Sequence, residues 1–182
     1  MKLAKHLVVI FTVCLLASCT SVKFNDSYAK RMWSVVVIAP LVDENNTYVT
    51  DQYVHELATQ SAIRFITPER AIAKLIELDL LDAYKTDTVN TLNRISSEFG
   101  ADGFLLIDVK ANGSGINRAT LSEAVIRTTL YETNSLAVVA STFSESSSVF
   151  FGGRHSLNAA TNDSLEELRV IFSRLNGNFK EG

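Results

Sequence analysis

The spacing of apolar positions changes several times along the chain, and each change marks an element. Leu7 to Leu16 is almost unbroken apolar sequence behind the basic opening Met1-Lys2-Leu3-Ala4-Lys5. As a helix rising ~1.5 Å per residue it would span about half of a ~30 Å hydrocarbon core. It therefore reads as the hydrophobic region of a cleaved leader and not as a transmembrane anchor. Thr20 to Met32 is polar and mixed in charge, the composition of a short tether. From Trp33 the chain turns apolar and β-branched through Ser34-Val35-Val36-Val37-Ile38-Ala39, and Pro40 closes the run. Such a run predicts a strand covered on both faces, at the centre of a parallel or mixed sheet.

Helical spacing follows. Tyr53, Val54, Leu57 and Ala58 recur at that period between Thr50, a candidate N-cap, and Gln60. Ile63 to Ile66 predicts a short second strand. Thr67-Pro68-Glu69 then supplies a cap, a proline at the first helical position and an acid in the first turn. Ala71, Ile72, Leu75 and Ile76 form one face of that helix, and Leu78, Leu80 and Leu81 continue the apolar surface. Asp87 or Thr88 caps a third helix with Val89, Leu92, Ile95 and Phe99 inward and Gly100 as its stop. Gly103 opens Phe104 to Val109, a second strand of the fully buried type.

Beyond Asn112-Gly113-Ser114-Gly115 the period becomes two. Ala124, Ile126, Thr128 and Leu130 share one face; Val125, Arg127, Thr129 and Tyr131 share the other. Glu132-Thr133-Asn134-Ser135 predicts a hairpin turn in which Asn134 takes a left-handed conformation. Leu136 to Phe143 returns as the partner strand, giving an antiparallel pair covered on one side and partly wet on the other. Ser144 to Ser148 reads as a serine-rich connection. Asn162 or Asp163 caps a last helix carrying Leu165, Leu168, Ile171, Phe172 and Leu175, with Gly177 past its end. The order is β-α-β-α-α-β-β-β-α, which predicts an α/β fold with helices packed on a single mixed sheet. The early βαβ piece requires a parallel, right-handed crossover.

The 182 residues suit one domain with a real core. The formal charge is −3, and loss of Lys2 and Lys5 with the leader would take it to about −5. That balance gives no electrostatic reason to bind nucleic acid.

Both cysteines lie at the front. Cys14 follows Val13 and would cut the apolar run short, but Leu16-Ala17-Ser18-Cys19 ends the run and resembles a bacterial lipobox. The resemblance implies a signal peptide over 1–18, then an acylated Cys19 and short tether over 19–33. A single periplasmic domain would occupy 34–182. The processed chain would hold no free thiol, which excludes disulfide, zinc-thiolate and cysteine-nucleophile chemistry. Thr20 stands where an aspartate would favour inner-membrane retention in the enterobacterial convention, so the expected location is the outer membrane, facing the periplasm.

The element order behind a lipobox resembles the periplasmic domain shared by CsgG, PelC, LpoB and the TolB amino-terminal domain. Three stretches carry it: Val35-Val36-Val37-Ile38-Ala39-Pro40; Phe99-Gly100-Ala101-Asp102-Gly103-Phe104-Leu105-Leu106; and the hairpin Leu130-Tyr131-Glu132-Thr133-Asn134-Ser135-Leu136-Ala137-Val138. Asn134 stands in place of the family's usual turn glycine. In size and tether the chain is most similar to PelC, for it lacks room for CsgG's membrane hairpins and lacks LpoB's long proline-rich tether. The resemblance implies a non-enzymatic protein that works by contact, often as a homo-oligomer, in an envelope export or assembly system. The alternative it leaves open is a lipoprotein regulator of a periplasmic enzyme such as a cell-wall synthase.

No cofactor or catalytic constellation is expected from the residues. His55-Glu56 lacks the second histidine of a zinc-peptidase helix, and His155 stands apart from it. Asn112-Gly113-Ser114-Gly115 lacks the lysine and the strand-to-helix setting of a phosphate-binding loop. Asp102 fits a turn role and Asp108 the wet end of its strand. Phe150 and Phe151, before Gly152-Gly153, form a candidate interaction loop with a partner subunit or the lipid surface. Two aromatics capping the core beside the last helix is the simpler structural role for them.

Overall fold

A computed structural model of the chain describes residues 18–41, 47–60, 62–112, 122–148 and 153–177. It contains strands β1 (Ser18–Phe24), β2 (Val35–Ile38), β3 (Arg64–Ile66), β4 (Gly103–Asn112), β5 (Ser122–Glu132) and β6 (Val138–Ser148). The helices are α1 (Thr47–Gln60), α2 (Pro68–Glu77), α3 (Leu81–Thr86), α4 (Thr88–Glu98) and α5 (Gly153–Leu175). All six strands join one mixed sheet in the order β1-β6-β5-β4-β2-β3. β2 lies parallel to both β3 and β4, and every other pair is antiparallel. The α/β class, the mixed sheet and its parallel-then-antiparallel halves follow the sequence expectation.

Two hydrophobic layers hold the sheet. Along β2, Val36 and Ile38 face the core under α1 and α5, where they meet Tyr53, Leu57, Leu165 and Leu168. Val35 and Val37 face the other core, under α2–α4, with Ala71, Leu75, Leu92 and Ile95. All four β2 residues are buried, as an unbroken β-branched run requires. The GAD stretch works by backbone geometry. Gly100 ends α4 with φ +61, and Asp102 accepts hydrogen bonds from the Ser34 and Val35 N–H groups at 2.7 and 3.0 Å. Gly103 has no space for a Cβ, because the Tyr131 carbonyl and the Trp33 ring press against its Cα. At the β5–β6 turn Asn134 has φ +77, as expected, and its N–H donates to Asn93 Oδ1 on α4 at 2.9 Å.

Three stretches differ from expectation. The segment 19–33, read as a tether, begins instead with β1, paired with β6 from Ser18↔Ser146 to Phe24↔Ala140. Thr20, Val22 and Phe24 alternate toward α5, and Phe24 packs against the first core. That alternation is too short and too polar to stand out in the sequence. Ser144 to Ser148 is the second half of β6, with Ser144, Ser146 and Ser148 buried. The last helix starts at Gly153, ahead of the expected caps Asn162 and Asp163, which fall in its interior. Its first turns bury Ser156, Ala160, Thr161 and Ser164 on the same stripe as Leu165 and Leu168. Small polar side chains fill the interface there, so no apolar period marks it.

Candidate functional site

Helices cover the face of the sheet over α2–α4 only part of the way. Along β4 the residues on that face run from buried Phe104 through half-buried Leu106 to exposed Asp108 and Lys110. Beyond them, the same face of β5, β6 and β1 carries no helix among the described residues. Strand register sets its side chains in rows. Asp108, Arg127, Phe143 and Ser21 lie in one row; Lys110, Val125, Glu145 and Cys19 lie in the next. The Arg127 guanidinium sits 5.8 Å above the Phe143 ring, a cation–π pair on the open surface. Asp108, Glu123 and Glu145 are thus interleaved with Lys110, Arg127 and Lys23.

Where helices and open face meet, a groove of about 540 Å³ lies against Leu41, Tyr84, Thr88, Asp108, Arg127 and Thr129. The Tyr84 hydroxyl donates to the Pro40 carbonyl at 2.6 Å, and burial pushes its pKa well above the ordinary tyrosine value. Tyr84 is therefore a neutral structural wall at ordinary pH. The groove joins polar and aromatic groups without a nucleophile–base pair in hydrogen-bond contact.

A second polar region is closed. Between α5 and the sheet, Thr128 and Thr142 hydroxyls meet at 2.7 Å, Thr142 reaches Ser164 at 3.1 Å, and Tyr53 donates to Ser164 at 2.7 Å. Ser122 and Ser156 form a separate pair at 3.2 Å. Burial raises the Tyr53 pKa strongly and its bond to Ser164 offsets part of that. These hydroxyls satisfy one another away from solvent, which is a packing role.

The residues singled out in the sequence do not converge. Cys19 is exposed at the start of β1, opposite Glu145. Phe150 and Phe151 lie outside the described residues, as do 113–115. His55 is on the solvent side of α1 and His155 is in the first turn of α5. Asp102 holds the start of β2, and Asp108 stands on the open face beside Arg127. Among the described residues no group of three His, Cys, Asp or Glu is placed to hold a metal ion. No helix among them is long and apolar enough to cross a membrane. The open face itself was only half visible in the sequence: the alternation of β5 gave Arg127 and Thr129 a wet side, but nothing local showed that β1 widens it.

No family model matches the chain, and no curated protein matches it. Among solved structures it is similar to a PelC dodecamer from Paraburkholderia phytofirmans, at 11% identity and TM-score 0.47, over 89% of this chain and 94% of that one. It is also similar to a lipoprotein from Neisseria meningitidis, at 13% identity and TM-score 0.44, over 74% of this chain and 94% of that one. The fold described above rests on the strand pairings of the chain itself.

Proposed function

We infer that the chain is a lipid-anchored envelope protein that works by contact, an oligomerising accessory component of an export or assembly system at the outer membrane. The open face over β4, β5, β6 and β1 is the observation that carries this reading. Among the described residues α1 and α5 cover most of the opposite face of the sheet, whereas this one presents both signs of charge around Phe143 and Val125. A surface on which both signs alternate is complementary to a second copy of itself, and its polar, half-wet character suits a non-obligate interface. Acylation at Cys19 supplies the anchor. Several buried acyl chains, at roughly 0.8 kcal/mol per CH₂, hold a protein far longer than one chain does. Confinement to a membrane then raises local concentration and favours weak lateral contacts.

The test starts from Cys19→Ala, which should move the protein from the membrane to the soluble periplasmic fraction. The acylated protein cross-linked in its membrane should give species larger than the monomer, and Arg127→Glu should weaken that self-association on the order of tenfold by reversing a charge on the open face. A monomeric parent, or an assembly indifferent to Arg127→Glu, would overturn the contact surface. Cys19→Ala protein that stays in the membrane fraction would overturn the anchor.

A further inference from the structure

We propose that the pole of the domain where β1 begins rests directly on the lipid headgroups, so that the sheet stands upright on the membrane as a fixed body. The proposal rests on acylation of Cys19 and adds what the strand pairing does to an acylated chain. Cys19 lies opposite Glu145, Thr20 opposite Ser144, and the pairing continues to Phe24 opposite Ala140. After cleavage before Cys19 no unpaired residue separates the acylated side chain from the sheet. A free segment such as 19–33 would let the domain wander by roughly 20 Å, at ~5–6 Å times the square root of its length. Pairing of β1 removes that freedom.

The topology then decides which parts lie near the bilayer. β6 ends at Ser148, opposite the first residue of β5, Ser122, and β4 ends at Asn112, opposite Glu123. α5 starts at Gly153, shortly after β6 ends. All of these ends gather at the Cys19 pole. The opposite pole holds Phe24, the turn at Asn134 and the C-terminal end of α5, where the Lys30 and Met32 N–H groups donate to the Arg174 and Leu175 carbonyls at 3.0 Å. Strands as long as β5 and β6, at ~3.4 Å per residue, place that far pole about 30–35 Å above the near one. The open face, which runs along the strands, then points sideways, toward neighbours anchored in the same leaflet.

Among the described residues the near pole carries both signs of charge: Glu145 and Glu123 lie beside Lys110, and Arg154 stands in the first turn of α5. Contact with the bilayer is therefore imposed by the acylated residue and the strand, and it should be indifferent to headgroup charge.

The experiment uses the full acylated protein in nanodiscs carrying a spin-labelled headgroup lipid, with amide signals read by relaxation enhancement. Thr20, Glu123 and Ser146 should broaden strongly, and Asn134 and Asn176 should keep their intensity. The pattern should be the same in zwitterionic discs and in discs containing anionic lipid. A variant with ten Gly/Ser residues inserted between Cys19 and Thr20 should keep its acyl chains and lose the gradient. A wild-type protein that already behaves like the insertion variant, or that broadens at Asn134, would overturn the upright orientation while leaving the anchor standing. An intact mass without acyl chains would overturn the anchor and the orientation together.

Discussion

In the β3–β2–β4 half of the sheet, hydrocarbon lies on both faces: Val36, Val37, Ile38, Phe104 and Leu105 are all fully buried. In the β5–β6–β1 half, one face is open among the described residues, and the other is buried under α5 through Ala124, Ile126, Leu130 and Ala140 mixed with Thr128, Thr142, Ser144, Ser146 and Ser148. The first half is held by apolar area and tight backbone approach, as at Gly103. The second is held by ladder hydrogen bonds along long strands, by apolar contacts with α5, and by a seam in which the Tyr53, Thr128, Thr142 and Ser164 hydroxyls bond one another. The half with the open face is thus also the half whose interior depends on buried polar groups finding partners.

The largest effect should come from the hydrocarbon half. Phe104 is fully buried, and its ring stacks on Tyr131 with centroids 5.1 Å apart and planes at 17°. Phe104→Ala removes that ring from the α2–α4 layer and leaves a cavity, at a cost of about 3–5 kcal/mol in chemical denaturation. A loss below about 1 kcal/mol would show that the layer collapses around the gap and is less rigid than its burial implies.

A smaller loss is expected in the hydroxyl half. Ser164→Ala strips the shared partner from Tyr53 and Thr142, leaving the Tyr53 hydroxyl buried without an acceptor. Stranding a buried donor costs about 1–3 kcal/mol. Adding Tyr53→Phe to Ser164→Ala should recover part of that loss, because the orphaned hydroxyl is then gone. If the double variant is no better than the single one, the seam is not the connected network its distances describe.

The same contrast explains how much of the fold could be read from the chain. Val35 to Pro40 and Gly103 to Val109 announce themselves because a strand covered on both faces must be apolar at every position. The hairpin at Asn134 is legible because its φ of +77 requires one of a few residue types. Ser144, Ser146 and Ser148 alternate with period two but carry no apolar label, so their strand looks like a loop. The first turns of α5 hide for the same reason, since Ser156, Ala160 and Ser164 keep the helical stripe with side chains ordinarily found at a surface. β1 is hidden differently: an edge strand is defined by its partner β6, and Cys19 to Phe24 contains too few apolar residues to reveal the pairing alone. The candidate contact face inherits these gaps. Arg127 could be placed on one face of its strand and Asp108 at the wet end of its own, but the rows that unite them with Phe143, Glu145 and Cys19 exist only once β1 and the full length of β6 are known.

The smallest effect, and the one that most sharpens the contrast, concerns Ser144. It lies between Thr142 and Ser146 on the buried side of β6, at 0% exposure, and its Oγ has no hydrogen-bond partner among the described residues. Its neighbours in the seam pay back their burial through one another; Ser144 does not. Replacing the hydroxyl by hydrogen removes an unmet polar group and only one heavy atom of packing. The unmet group would otherwise bear a desolvation penalty of about 1–3 kcal/mol, against a small cavity loss. Ser144→Ala should therefore be neutral or stabilising, by up to about 1 kcal/mol, in denaturant melts run beside Ser164→Ala. A clear destabilisation by Ser144→Ala would mean that its hydroxyl is bonded in solution and that the seam extends further toward the Cys19 pole than Thr142. The opposite signs expected for two serines buried to the same degree under the same helix separate burial from satisfaction as the source of stability in this half of the sheet.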